Sequence, residues 1–129
     1  SRETTDTRHR YWICRRFLAQ IGILRGPLSI TELASAVGVG RRTLERAVRE
    51  TLGVSPYKLL RLHRFNNLHR DLLEADPQHH TVTSLLTAWG FQELGRTAVE
   101  YKELFTESPS ATLARPASPP RLRLADALA

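Results

Sequence analysis

Five of the nine residues from 41 to 49, Arg41, Arg42, Thr43, Arg46 and Arg49, carry side chains suited to binding a polyanion, and Glu45 lies among them. An arginine presents a planar fork of donors that can bond guanine O6 and N7 together, worth about 1–3 kcal/mol of discrimination against the wrong base. Arg42 and Arg46, four residues apart, share one face if the segment is helical, and Glu45 beside them can accept from cytosine N4 or orient an arginine. Arg41, Thr43 and Arg49 suit phosphate oxygens better, since a phosphate asks for donors and charge but carries no base pattern. Cations at the start of a helix oppose its macrodipole, at a cost of a few tenths of a kcal/mol or more each. The cluster therefore implies something outside the helix that attracts it. The plainer alternative is a solvated basic face with intrahelical pairs such as Glu45 with Arg49 or Arg42.

A sparser set lies further on. Arg96 is a second candidate for reading bases, with Gln92 and Lys102 as backbone contacts, but Glu93, Glu100 and Glu103 among them would repel phosphate. This region is expected to bind more weakly and with less sequence information. Arg61, Arg64 and Arg70, with His63 and Asn66, admit two readings, phosphate contact or a wet outer face. His9, His63, His69, His79 and His80 show no metal-ligand spacing, and no Ser-His-Asp order, phosphate loop or paired carboxylates stand out. No enzyme activity, metal or cofactor is expected.

These side chains need helices to hold them, and the chain supplies the same helical unit twice. Ile30–Val39 returns as Val82–Phe91, and Leu44, Val48, Leu52, Ser55 and Pro56 find counterparts in Thr97, Tyr101, Phe105, Ser108 and Pro109. Each copy reads as a short helix, a Gly-containing turn and a second helix ended by Ser-Pro, the sequence form of a helix-turn-helix. That repetition favours the DNA reading of the arginine cluster over the solvated face.

In the first copy Ser29 and Glu32 spell a capping box for a helix over 30–37, Gly38 permits a left-handed turn, and Gly40 caps a helix over 41–52. Its expected buried stripe is Leu44, Ala47, Val48 and Leu52, and Gly53 ends it. Ahead of it, Ile13, Cys14, Phe17, Leu18 and Ile21 mark an amphipathic helix that stops near Gly22 to Gly26, with residues 1–7 polar and frayed. Ser55-Pro56 starts a long linker helix, 55–75, lined by Tyr57, Leu59, Leu62, Phe65, Leu68, Leu72 and Leu73. A rod of roughly 30 Å compares with about 34 Å for one turn of B-DNA, so it could set two reading helices into successive major grooves. Thr81 caps a helix over 82–89, Gly90-Phe91-Gln92 turns into a helix over 93–105, and Pro109 begins the exit. Residues 115–129 read as a tail with a short helix at 121–128. Trp12, Trp89 and Phe91 are expected in the core and Cys14 as a buried small hydrophobe. The fold class is all-α, with two helix-turn-helix subdomains at 8–54 and 76–114.

Bulk properties agree. The chain has 129 residues, 41% hydrophobic and 25% charged, which predicts a packed core, and its net charge of +6 favours polyanionic partners. Basic residues gather before position 76, whereas 76–114 is acidic. One cysteine, no apolar run of membrane-spanning length and no signal peptide point to the cytoplasm and to no membrane partner. No Met occurs, even at position 1, so a piece of a longer chain is expected.

The phrases Gly-Val-Gly-Arg-Arg-Thr-Leu-Glu-Arg (38–46), Leu-Gly-Val-Ser-Pro-Tyr (52–57) and Trp-Gly-Phe-Gln-Glu-Leu-Gly-Arg (89–96) resemble the DNA-binding domain of AraC/XylS-type bacterial transcription regulators. The resemblance covers about residues 10–114, and the spelling over 94–113 is most similar to the branch containing the ethanolamine-utilisation regulator. It implies about seven helices in two lobes that bind asymmetric DNA as a monomer per site, below a separate effector or dimerisation domain absent from this chain. The family's base-contact positions fall on Arg42, Glu45 and Arg46, and around Leu94, Gly95, Arg96 and Val99. Gly40 stands where a capping Ser is usual, Thr97 where a core Phe is usual and Thr106 where Gly is usual; with Thr97 small and polar, a second lobe either loosely packed or helped by a neighbour is expected. The expected function is sequence-specific binding of double-stranded DNA in two successive major grooves, with helix 41–52 dominant. The rival expectation is a protein-interaction module that docks on RNA polymerase or a partner regulator, with only non-specific DNA contact.

Overall fold

Local start and stop chemistry lays out the helices of this chain, as seen in a computed structural model that describes residues 2–23 and 28–116. Among the described residues there are seven α-helices and no strand: α1 (Arg2–Ile23), α2 (Ile30–Val37), α3 (Arg41–Leu52), α4 (Pro56–Glu74), α5 (Val82–Ala88), α6 (Leu94–Phe105) and α7 (Pro109–Ala114). At α2 the Ser29 hydroxyl accepts from the Glu32 N–H and the Glu32 carboxylate accepts from the Ser29 N–H, both at 3.1 Å, which closes the capping box. Thr81 and Ser84 close a second one at the matching place in α5. Gly38 turns the chain at φ 93°, and its N–H reaches back to Ala34 and Ser35. Ser55 and Ser108 each cap a helix that opens with proline, α4 and α7.

Two apolar cores form, and α4 serves both. Ile13, Phe17, Leu33, Leu44 and Val48 from α1 to α3 gather with Leu60. From Phe65 onward the same helix turns its apolar side to the second lobe, where Leu68 and Leu72 meet Leu86, Phe91, Tyr101 and Leu113. Its 19 residues span about 28 Å. The buried Tyr101 hydroxyl meets Thr112 Oγ1 at 2.7 Å and His69 Nδ1 at 2.8 Å, as a phenol removed from water requires. Trp89 donates from its indole N–H to Asp71 at 2.7 Å.

Several expectations are corrected. A three-helix lobe buries only one stripe of α1, so Leu18 is exposed and Trp12, 46% accessible, sits outside the core against His9 and under the Arg16 guanidinium. Leu52, the last residue of α3, is 42% accessible and leaves the buried stripe to Leu44, Ala47 and Val48. On α4 the buried residues are Pro56, Leu60, Phe65, Leu68 and Leu72, while Tyr57 and Leu62 face outward. Helix α1 opens at Arg2, inside the end drawn as frayed, and the chain after Ser108 forms α7 instead of leaving the fold. The tail helix at 121–128 lies outside the described residues. Cys14 is buried as expected, its thiol 3.3 Å from the Ala47 carbonyl. Thr97 is also buried, 1% accessible, on the wall of an open cleft of about 630 Å³.

Candidate nucleic-acid interface

Amphipathicity presents the arginine cluster. With Leu44, Ala47 and Val48 turned into the first core, Arg41, Arg42, Thr43, Arg46 and Arg49 are all left on the exposed side of α3. Gly40, extended at φ −73° and ψ 158°, precedes the helix without a side chain to cap it, so the first N–H groups of α3 stay open to an acceptor from outside. Arg41 Nε lies 3.4 Å from Glu45, and Arg46 Nε donates to Glu50 at 3.0 Å. Glu45 therefore pairs one turn back with Arg41, not with Arg42 or Arg49 as the sequence suggested. Arg42 and Arg49 form no ion pair with any described residue. Exposed pairs of this kind are worth a few tenths of a kcal/mol, so a phosphate or a base edge can displace them.

Glu50 is a residue that reading the sequence for function passed over. It also holds Arg10 of α1, and its bonds to Arg46 and Arg10 keep its carboxyl below the usual carboxylate range. The spacing from Arg46 signals half of this arrangement. Arg10 lies forty positions away, where no local pattern could point to it.

In the second unit Arg96 is exposed at the start of α6, 3.6 Å from Glu93, and Gln92 is exposed in the turn before it. Gly95 and Val99 are exposed beside Arg96, and Leu94 is half-buried. Lys102 is exposed in the last turn of α6, about 9 Å along the axis from Arg96, so the structure does not gather it with the other two. Glu100 is neutralised: Arg61 of α4 grips both its oxygens and keeps it below the usual carboxylate range. Of the arginines on α4 read as phosphate contact or wet face, Arg61 is thus engaged, and Arg64 is half-buried with its guanidinium on the Leu28 carbonyl.

The starts of α3 and α6 border a shared groove beside α4. The cleft along α4 runs past Tyr57, Arg61 and Arg64 to the turn Gly90–Glu93 and to Arg96. A second hollow shares Tyr57, Arg64 and Gln92 with it and reaches Ser29 and Arg41. Arg41, in the first turn of α3, and Gln92, just before α6, therefore border the same groove. Among the described residues no cluster of His, Cys, Asp and Glu could hold a metal ion, and no described helix is long and apolar enough to cross a membrane.

Known proteins share this fold. A family model described as a helix-turn-helix domain matches residues 33–115. A probable thc operon regulatory protein of Rhodococcus erythropolis is 40% identical over 87 residues, covering 67% of this chain and 26% of that protein. The chain spans between 20% and 28% of the length of the curated relatives it matches. Among solved structures, a probable AraC family transcriptional regulator from Rhodopseudomonas palustris superposes with a TM-score of 0.68 at 31% identity, over 81% of this chain and 98% of that one. An AraC-type regulator from Chromobacterium violaceum gives 0.67 at 26% identity, over 82% and 93%.

Proposed function

The chain belongs to the AraC/XylS family of bacterial transcription regulators, and from that premise we propose that it binds double-stranded DNA with sequence preference, α3 and α6 entering successive major grooves. The observation that carries this reading is the shared groove: Arg41 and Gln92, at the starts of the two helices, border one hollow beside α4. With about 28 Å of linker helix against about 34 Å per turn of DNA, the two starts can address one face of a duplex.

The two units are unequal in this reading. Arg42, Glu45 and Arg46 on α3 meet base edges, and Arg41, Thr43 and Arg49 meet phosphate. Arg96 adds a base contact from α6, while Gln92 and Lys102 touch backbone. Glu93 and Glu103 stay exposed beside them and weaken the second contact. Such a protein would act in the cytoplasm, on chromosomal DNA.

Selection of bound sequences from random duplex DNA, at two salt concentrations, tests the proposal. The expected outcome is an asymmetric site with two informative segments about 10 base pairs apart, one of them stronger. Docking on RNA polymerase or a partner regulator with incidental DNA contact predicts instead no preferred sequence and affinity that vanishes near physiological salt.

A further inference from the structure

Arg64 is a half-buried cation with no carboxylate beside it among the described residues. Its Nη2 donates to the Leu28 carbonyl at 2.6 Å, and its Nε–H is buried and meets no acceptor. A guanidinium has five N–H donors, and among the described residues the Leu28 carbonyl takes one of them. Burial, opposed by Tyr57 and aided by Arg61, pulls its pKa below that of a free guanidinium. Even partial desolvation of a charge without a partner is costly, and an anion at this place would offset that cost.

The surroundings say which anion. Arg64 stands where the two hollows along α4 meet, and the exposed Tyr57 ring and Gln92 amide border both. Neighbouring Arg61 is held by Glu100 in a part-buried pair, and Arg41 and Arg96 carry exposed pairs with Glu45 and Glu93, so Arg64 is the described cation lining this groove with no carboxylate beside it. In the proposed pose the groove faces the stretch of backbone that passes from one major groove to the next.

We propose that Arg64, with Tyr57 and Gln92, seats one backbone phosphate of the DNA segment between the two reading helices, and so couples the weak second contact to the strong first one. The inference rests on the functional reading above. It adds a residue of the linker helix to a contact otherwise confined to the two helix-turn-helix units.

The test uses the site obtained by selection, resynthesised with single neutral methylphosphonate linkages stepped through the spacer between its two informative segments. Binding is measured for the full chain and for Arg64→Gln at one fixed salt concentration. One linkage, or two adjacent ones, should weaken the parent about tenfold, the scale of a charge-assisted hydrogen bond. Arg64→Gln should bind the unmodified duplex about tenfold more weakly and be indifferent to those linkages, with base preference unchanged. Tyr57→Phe leaves the Leu28 bond intact and should lose a few-fold at the same linkage, so the seat can be tested even if Arg64→Gln folds poorly. A parent indifferent to every spacer linkage overturns the seat while leaving sequence-specific binding intact. So does an Arg64→Gln protein as sensitive as the parent. A selection that yields no preferred sequence overturns the functional reading, and the seat with it.

Discussion

Arg61 of α4 and Glu100 of α6 meet through two parallel bonds, Nε to Oε2 and Nη2 to Oε1, each 2.8 Å, while the guanidinium lies over the rings of Phe65 and Phe91. A bidentate pair only 24% and 34% accessible is screened less than an ordinary surface pair, and it ties α6 to α4. Arg61→Ala should lower stability by about 1–3 kcal/mol in urea unfolding. A double-mutant cycle with Glu100→Ala should return a coupling of about 1 kcal/mol. Strictly additive losses would reduce the pair to a surface contact.

Thr106 ends α6 in the left-handed conformation, φ 63°, and is the one non-glycine residue with positive φ among those described. A side chain there costs roughly 1–2 kcal/mol, offset in part by the greater chain entropy glycine loses on folding and by the bond from the Thr106 hydroxyl to the Phe105 carbonyl. Thr106→Gly should therefore raise stability by about 0.5–1 kcal/mol. An unchanged or lower urea midpoint would show that the hydroxyl bond outweighs the strain.

His69 couples stability to pH. Burial pushes its pKa below the ordinary histidine value of 6.5, and it sits between the Tyr101 hydroxyl and the Phe105 ring, with Glu107 and Arg115 nearby. Below 6.5 the unfolded chain binds a proton that the folded chain resists, so stability is complete above that pH and declines as pH falls toward the folded value. His63 is shifted the same way, first by burial and then by Arg70 and Arg64. Urea midpoints should be lower at pH 5.5 than at pH 7.5, and His69→Gln should flatten part of that slope. Greater stability in acid, or an unaltered slope in the variant, would contradict the assignment.

The arginines of α3 should divide by role. Arg42→Ala or Arg46→Ala is expected to cost about 1–3 kcal/mol on the preferred site and to relax preference at one base. Arg49→Ala should weaken all sequences alike and lower the salt slope by about one. Competitive titration of preferred against random duplex, repeated across salt, separates the two patterns. Equal losses on both duplexes for all three variants would remove base reading from α3.

What could be read from the sequence was whatever depends on neighbours along the chain. The Ser29–Glu32 capping box, the turns at Gly38 and Gly53 and the Ser55-Pro56 start act within four residues, so their spelling suffices. Helix α7 carried the same Ser-Pro signal at Ser108, and the duplication pointed to it, but six residues between two prolines gave too short a periodic pattern. Burial was less legible. Leu18, Leu52, Leu62 and Trp12 have helical spacing, yet each small lobe covers only part of a helix, and which part depends on partners far along the chain. For the same reason Glu50, Arg61 and Arg64 escaped assignment: their partners Arg10, Glu100 and Leu28 lie 36 to 40 positions away.

The proposal of two unequal reading helices on one duplex face is tested most directly by methylation interference at guanine N7 on the selected site, with the parent and with Arg46→Ala. The parent should show two clusters of interfering guanines about 10 base pairs apart, the stronger one losing a guanine in Arg46→Ala while the weaker is untouched. A single cluster, or two clusters that both ignore Arg46→Ala, would contradict it.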